Sequence, residues 1–127
     1  MIPDDVHQLF QATYDFIYSQ VLLNADWLDA VAVVESRQAS FNGSYGIYSD
    51  ILPILTGAAA GGDAHRAIPL AAAWVLYDLA SEIFDDLQDR DGKDRIWNQW
   101  PPARAMSVGL GMVANGNFCL TRLQAAE

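Results

Sequence analysis

Residues 71–95, AAAWVLYDLASEIFDDLQDRDGKDR, decide the fold. The first half of this stretch is apolar and rich in alanine and contains neither Gly nor Pro, which favours a helix. The second half is crowded with acids, and they are Asp78, Glu82, Asp85, Asp86, Asp89, Asp91 and Asp94. The pattern predicts one long helix that begins as a buried element and ends in carboxylates.

The acids stand where a helix tolerates them least. Spacings of 4, 3 and 4 predict that Asp78, Glu82, Asp85 and Asp89 share one helix face, with Asp86 beside them. The C-terminal end of a helix carries roughly half a negative charge, so acids there are disfavoured. Mg²⁺ would reverse this cost, since it binds one or two carboxylates together with water and phosphate oxygens. The alternative is a solvated helix end that binds no metal.

Composition predicts a single folded domain. Hydrophobic residues make up 52% of the 127 residues and charged residues 18%, which is typical of a chain with one core and not of a disordered one. The formal charge of -9 disfavours nucleic-acid binding, because phosphate backbones are repelled. A polyphosphate substrate would need metal ions between its own charge and the acids.

Other kinds of site are poorly supported. Cys119 is the only cysteine, which excludes an intrachain disulfide and favours a reducing compartment, and its apolar neighbours predict a buried position. His7 and His65 have no Cys or His nearby, so neither is expected to bind a metal. Without a visible signal peptide or an uninterrupted apolar run of about 18 residues, we expect a cytoplasmic protein with no transmembrane segment. No residue is assigned a catalytic role.

The remaining sequence predicts helices. Pro3, followed by two acids, begins a helix that runs to about Leu23. Asn24 is predicted to cap a second helix that reaches about Arg37, although its valines leave a strand as an alternative there. Residues 40–49, rich in Gly and Ser, are predicted as a loop, and a third helix follows them.

The second half continues in the same way. Two glycines at 61–62 end the third helix, and Asp63 is predicted to cap a fourth over about residues 64–89. A fifth helix is predicted over about residues 103–124. Because strand alternation is absent, the expected fold is an all-α helical bundle of about five helices, in one domain that covers residues 1–127.

Residues 61–91, GGDAHRAIPLAAAWVLYDLASEIFDDLQDRD, resemble a known family. A Gly-Gly-Asp break, an alanine-rich helix and Asp-Asp-x-x-Asp occur here in the order found in the first aspartate-rich region of the polyprenyl synthetase family, the trans-isoprenyl diphosphate synthases. The similarity covers about residues 57–92. It implies an isoprenoid-synthase-like half domain that corresponds to the amino-terminal half of those enzymes.

The resemblance implies a metal site at the matching aspartates. Asp85, Asp86 and Asp89 would hold Mg²⁺ and, through it, an allylic diphosphate. Loss of the diphosphate would give an allylic cation that isopentenyl diphosphate attacks head-to-tail, which is a transferase reaction of isoprenoid biosynthesis. Stabilisation of the departing diphosphate would be the largest electrostatic contribution.

The resemblance also implies diphosphate-binding bases and a product tunnel. Arg95 and Lys93 follow the motif, and Arg95 is the better placed by spacing. Ser81 and Ala80 stand four and five positions before Asp85, at the floor of the tunnel, and their small size implies longer products.

The chain departs from the family pattern in several features. The Gly-Lys-Arg motif is replaced by GIYSDILP at 46–53, which contains no base. Asp78 and Glu82 would face an apolar tunnel, where unpaired charges are costly or become protonated. No second aspartate-rich motif follows. The resemblance therefore implies an incomplete prenyltransferase that needs another segment, a homo-oligomer or a complementary subunit. The alternative is a noncatalytic helical assembly module derived from the same scaffold.

Overall fold

A computed structural model describes residues 2–22, 27–89 and 94–123. Over these ranges the chain forms α-helices, short π- and 3₁₀-helical segments and no strand. The α-helices are α1 (Asp4–Phe16), α2 (Leu28–Phe41), α3 (Gly46–Asp50), α4 (Leu52–Ala59), α5 (Ile68–Asp89) and α6 (Pro102–Leu120). The shorter segments are a π-helix at Ile17–Val21 and 3₁₀-helices at Ala64–Ala67 and Ile96–Gln99. The predicted all-α fold is confirmed.

The long helix α5 lies at the centre of the bundle. It packs against α1, α3 and α4 and, over its greatest length, against α6. Three consecutive alanines near its start, Ala71, Ala72 and Ala73, are buried, which lets the neighbouring backbones approach closely. On α6, a Cβ at Gly109 would lie 2.6 Å from the ring of Phe84. Gly109, which weakens α6 as an isolated helix, therefore allows its close packing on α5.

The region between α2 and α4 differs from the sequence prediction. The valines of α2 are helical, which removes the strand alternative, and the predicted loop at 40–49 contains the end of α2 and most of the short helix α3. Gly43 has a positive φ of 76° and makes the turn, after which the Ser44 hydroxyl accepts a hydrogen bond from the Gly46 amide. Ile47 is fully buried. Its packing therefore outweighs the loop-like composition of the segment.

The start of α5 is close to the prediction. Gly61 has a φ of 91° and ends α4, and the Asp63 side chain accepts a hydrogen bond from the His65 amide at 2.9 Å. The capped element is the 3₁₀-helix Ala64–Ala67, which leads directly into α5. The predicted cap Asn24 lies outside the described residues.

The α5 region also has the length and apolarity of a membrane-spanning helix. Ala64–Asp89 contains an 18-residue window with a mean hydropathy of 1.4, and 44% of that window is buried within the protein. A core helix of a bundle meets the same two criteria. Packing of α5 against four other helices accounts for the buried part of this apolar surface.

Candidate functional site

The most deeply buried charges surround Arg37 on α2. Arg37 is 6% exposed, and its Nε and Nη2 donate to Asp50 Oδ1 at 3.1 and 2.7 Å. The Tyr14 hydroxyl donates to Asp50 Oδ2 at 2.5 Å. Asp50 has no exposed surface, so its carboxylate ties α1, α2 and α3 together inside the core. Burial, followed by the charge of Asp50, raises the pKa of Tyr14 well above its usual range.

Arg37 also faces the acids of α5. Its Nη1 lies 2.7 Å from Asp78 Oδ2 and 3.7 Å from Glu82 Oε1, and Arg95 Nη1 lies 3.8 Å from the other oxygen of Glu82. Although Asp78 is close, Nη1 makes no aligned hydrogen bond within the described part of the chain, so the contact is a charge–charge interaction. Burial raises the pKa of Glu82, and the two arginines oppose that rise. Asp78 and Glu82 are therefore paired with arginines, and the expectation of unpaired charges in an apolar tunnel is wrong.

Asp86 belongs to a second buried group. It is 3% exposed, and its Oδ2 accepts hydrogen bonds from Trp97 Nε1 at 2.8 Å, Asn98 Nδ2 at 3.0 Å and Arg95 Nη1 at 3.3 Å. These donors lie on the connector between α5 and α6. The Asp86 carboxylate thus holds the connector against the end of α5, as expected for a buried charge that is fully hydrogen-bonded.

Asp85 and Asp89 lie on the outside of the same helix. Both are exposed and stand one turn apart, whereas Asp86 lies on the buried side. The structure therefore does not bring the three motif aspartates together. Among the described residues, no group of three or more His, Cys, Asp or Glu side chains is arranged to hold a metal ion. Mg²⁺ commonly binds one or two carboxylates and takes its remaining oxygens from water and phosphate, so Asp85 and Asp89 are the motif residues that could hold it.

An open groove of about 430 Å³ between α5 and α6 brings three predicted site residues together. It is lined by Asp85 and, in the preceding turns of α5, by Ala80 and Ser81, with Phe84 beside them and Val113 on α6. Ala80 is 2% exposed and Ser81 is exposed, so one forms the floor and the other the rim. A carboxylate beside small and apolar side chains can hold a molecule with an apolar tail and a cationic head, or an anionic head that a metal ion bridges to the carboxylate.

A smaller pocket of about 220 Å³ lies on the other flank of α5. Arg95 lines this pocket together with Arg37, Glu82 and Asp94, and its guanidinium lies 5.5 Å from the ring centroid of Trp97. The structure thus places the predicted diphosphate ligand Arg95 in a different cavity from the groove of Asp85. Lys93, the other predicted ligand, lies outside the described residues.

Sequence reasoning missed the buried Tyr14–Arg37–Asp50 group. Its members come from three helices, and no local motif joins them. One signal was present: Arg37 follows Val33 and Val34 at spacings of 4 and 3, which puts its charge on the buried face of α2. A charge at such a position requires a buried partner.

Comparisons of this chain with protein-family models, with curated proteins and with solved structures gave no match. The similarity to polyprenyl synthetases therefore rests on the motif in residues 57–92.

Proposed function

We propose that this chain supplies one half of a polyprenyl-synthetase-like prenyltransferase site, in which the groove between α5 and α6 receives an allylic diphosphate for head-to-tail condensation with isopentenyl diphosphate. The observation that carries the proposal is the shared groove of Asp85, Ala80 and Ser81. The family resemblance assigns these residues to the two ends of one substrate, with the carboxylate at the diphosphate and the small side chains at the hydrocarbon. Their common groove supports that pairing.

The groove and the end of α5 beyond it would contribute different parts of the proposed function, because Asp85 lines the groove and Asp86 and Asp89 do not. Asp85 and Asp89 would bind Mg²⁺, which when bound supplies positive charge to the diphosphate as it leaves. Ala80 and the ring of Phe84 would contact the prenyl chain, which gains free energy from apolar burial. Asp86 would have a positioning role, because hydrogen bonds from Trp97, Asn98 and Arg95 hold the connector that follows the motif. Since the groove is open on its outer side, another segment or subunit would close it.

Calorimetric titration with geranyl diphosphate in the presence of Mg²⁺ tests the metal-dependent step. We expect binding heat in the unmodified protein and its loss in Asp85→Asn and Asp89→Asn. Glu35→Gln is the matched control, because it removes one exposed acid from α2, outside the groove. Equal heat with and without Mg²⁺, or equal heat in Asp85→Asn and the control, would contradict the proposal.

Chain-length selectivity tests the hydrocarbon part of the groove separately. Ser81→Phe adds a ring at the groove wall, so we expect it to weaken binding of farnesyl diphosphate while leaving dimethylallyl diphosphate nearly unchanged. Gln8→Phe adds the same bulk on an exposed position of α1 and should change neither. If Ser81→Phe weakens both ligands equally, the prenyl chain does not lie along Ser81.

The second candidate is the noncatalytic assembly module. Exposed apolar side chains on α6 favour it, with Met106 and Leu110 exposed to 43% and 59%, and so does the lack of any base in residues 46–53. Self-association without any Mg²⁺-dependent diphosphate heat would support this candidate over the transferase.

A further inference from the structure

Two Asn-Gly pairs occur in the chain, at 42–43 and 115–116, and the structure places them in opposite settings. An asparagine can react with its own backbone, because the main-chain nitrogen of the next residue can reach the carbon of the side-chain amide. When that next residue is glycine, no Cβ hinders the attack or the backbone rotation that it needs. Whether each pair reacts therefore depends on the structure around it.

The pair at 42–43 lies in the exposed turn between α2 and α3. Asn42 and Gly43 are both exposed, and a Cβ at Gly43 would meet nothing within 4 Å. The Asn42 amide donates to Gln38 O at 2.9 Å. The Ser44 amide donates to Phe41 O at 3.0 Å, whereas the Gly43 amide donates no hydrogen bond within the described residues. No acceptor in that part of the chain therefore holds the Gly43 nitrogen away from the Asn42 side chain.

The pair at 115–116 lies inside α6. An α-helical amide donates to the carbonyl four residues earlier, which places the Gly116 nitrogen in the hydrogen-bond ladder of the helix. Gly116 is also buried, and a Cβ on it would lie 2.5 Å from the ring of Tyr77 on α5. Attack by this nitrogen requires α6 to open locally. The two pairs share one chemistry, and the folded structure separates them.

We propose that Asn42 is a site of spontaneous deamidation in the folded protein, whereas Asn115 is protected. The Gly43 nitrogen forms a bond to Cγ of Asn42, and the bond from Cγ to the side-chain nitrogen breaks. That nitrogen leaves as ammonia with the proton of the Gly43 amide, and a five-membered succinimide remains. The ring closes only after rotation about the Cα–C bond of Asn42, whose ψ is 127°, and the open turn permits this rotation. The inference goes beyond the proposed function and does not depend on it.

The products change the end of α2. Water opens the succinimide at either carbonyl carbon, and the ring nitrogen takes the proton. Attack at Cγ gives aspartate, whereas attack at the main-chain carbon gives isoaspartate, in which the main chain runs through Cβ and Cγ and is one atom longer. Both products place a new carboxylate at the C-cap of α2, where the helix already presents partial negative charge. Only isoaspartate lengthens the turn between Arg37 and Asp50, the ion pair that joins α2 to α3.

Tryptic mapping by mass spectrometry tests the two pairs in one experiment, because cleavage after arginine places Asn42 in peptide 38–66 and Asn115 in peptide 105–122. The folded protein is incubated in mildly alkaline buffer, which favours loss of the Gly43 amide proton, and is sampled over days. We expect peptide 38–66 to gain the mass difference between an amide and an acid at least about tenfold faster than peptide 105–122, since opening of α6 limits the second reaction. Equal rates in the folded protein, or a faster reaction in peptide 105–122, would overturn the inference.

The unfolded chain is the matched control. In urea both pairs should react at similar rates, because neither nitrogen is then held by structure. A difference that persists in urea would assign the effect to the neighbouring residues in the sequence and refute the structural reasoning. Asn42→Gln should abolish the mass gain in peptide 38–66 of the folded protein and leave peptide 105–122 unchanged. Mass gain that continues in peptide 38–66 of this variant would show that Asn42 is not the reacting residue.

The effect on the turn has its own test. Asn42→Asp carries the new charge without the longer backbone. Protein aged in alkaline buffer and enriched in isoaspartate should therefore unfold at a lower urea concentration than Asn42→Asp. Identical unfolding midpoints would contradict the inferred change in the turn between α2 and α3.

Discussion

Replacing Asp50 with Asn tests the buried charge group at its centre. Asp50 is fully buried and receives three hydrogen bonds, two from Arg37 and one from Tyr14. The amide of Asn is nearly the same size as the carboxylate and still offers one oxygen to a donor. The substitution therefore removes the negative charge without opening a cavity. The guanidinium of Arg37, a residue that is 6% exposed, then lacks its main counter-ion.

The expected cost follows from the burial of that guanidinium. Removing one partner of a buried ion pair costs about 3–5 kcal/mol, because the other charge is left uncompensated. Asp78, 2.7 Å from Nη1 and with a side chain 46% exposed, still compensates part of the charge. We therefore expect a loss near the lower limit, about 3 kcal/mol in the free energy of unfolding. For a domain of this size, that loss corresponds to a decrease in Tm of roughly 12 °C.

Asp29→Asn provides the matched control. Asp29 also binds an arginine through two hydrogen bonds, but the side chain of Arg104 is 49% exposed. An exposed pair contributes less than about 1 kcal/mol. Urea denaturation of both variants at neutral pH, followed by circular dichroism, should give a much larger loss for Asp50→Asn. If the two losses are equal, the Arg37–Asp50 pair is not a core element and the reasoning from burial fails.

Three further predictions concern single residues. Burial raises the pKa of Glu82, so the ionised side chain destabilises the fold. This penalty is absent below the ordinary glutamate pKa of about 4 and grows as the pH rises above it. Glu82→Gln should therefore raise the free energy of unfolding at about pH 7 and not at about pH 3. An equal gain at both pH values would exclude this cause. Burial raises the pKa of the Cys119 thiol to about 11. Alkylation of Cys119 by iodoacetamide at about pH 8 should therefore be at least about 100-fold slower than alkylation of free cysteine. In urea, where the chain is unfolded, the two rates should become similar. Gly109→Ala should lower the free energy of unfolding by about 1–2 kcal/mol in urea denaturation, because its methyl group would displace the ring of Phe84. The methyl group of Gly57→Ala would meet only an ordinary contact at 4.0 Å, so this variant should raise the free energy of unfolding by about 0.5–1 kcal/mol. Destabilisation by both alanines would show that crowding is not the cause.

Periodicity and capping predicted most of the secondary structure. The apolar run and the Asp63 cap located α5 within a few residues, because helix propensity and capping act between neighbours in the sequence. The short helix α3 was not predicted. Its Gly- and Ser-rich composition is typical of a loop, and burial of Ile47 and Asp50 against other helices overrides it.

The partners of the acids could not be predicted from spacing. Helical geometry placed Asp85 and Asp86 near one another, but it does not determine which neighbour will face core and which will face solvent. Trp97 and Asn98 on the connector donate hydrogen bonds to the buried carboxylate of Asp86, while the side chain of Asp85 lines the groove. The common groove of Asp85 and Ser81 agrees with their predicted proximity, since both lie on one helix a single turn apart.

The sequence by itself determined the longer helices, the position of the acids along α5 and the burial of Cys119, because these depend on interactions within about one turn of the chain or on local apolarity. Only the tertiary structure decided that Arg37 pairs with Asp50 and Asp78 and that Asp86 anchors the connector. The physical reason is that a buried charge requires a counter-charge or hydrogen-bond donors, and here these lie in segments that are distant in the sequence or on the connector.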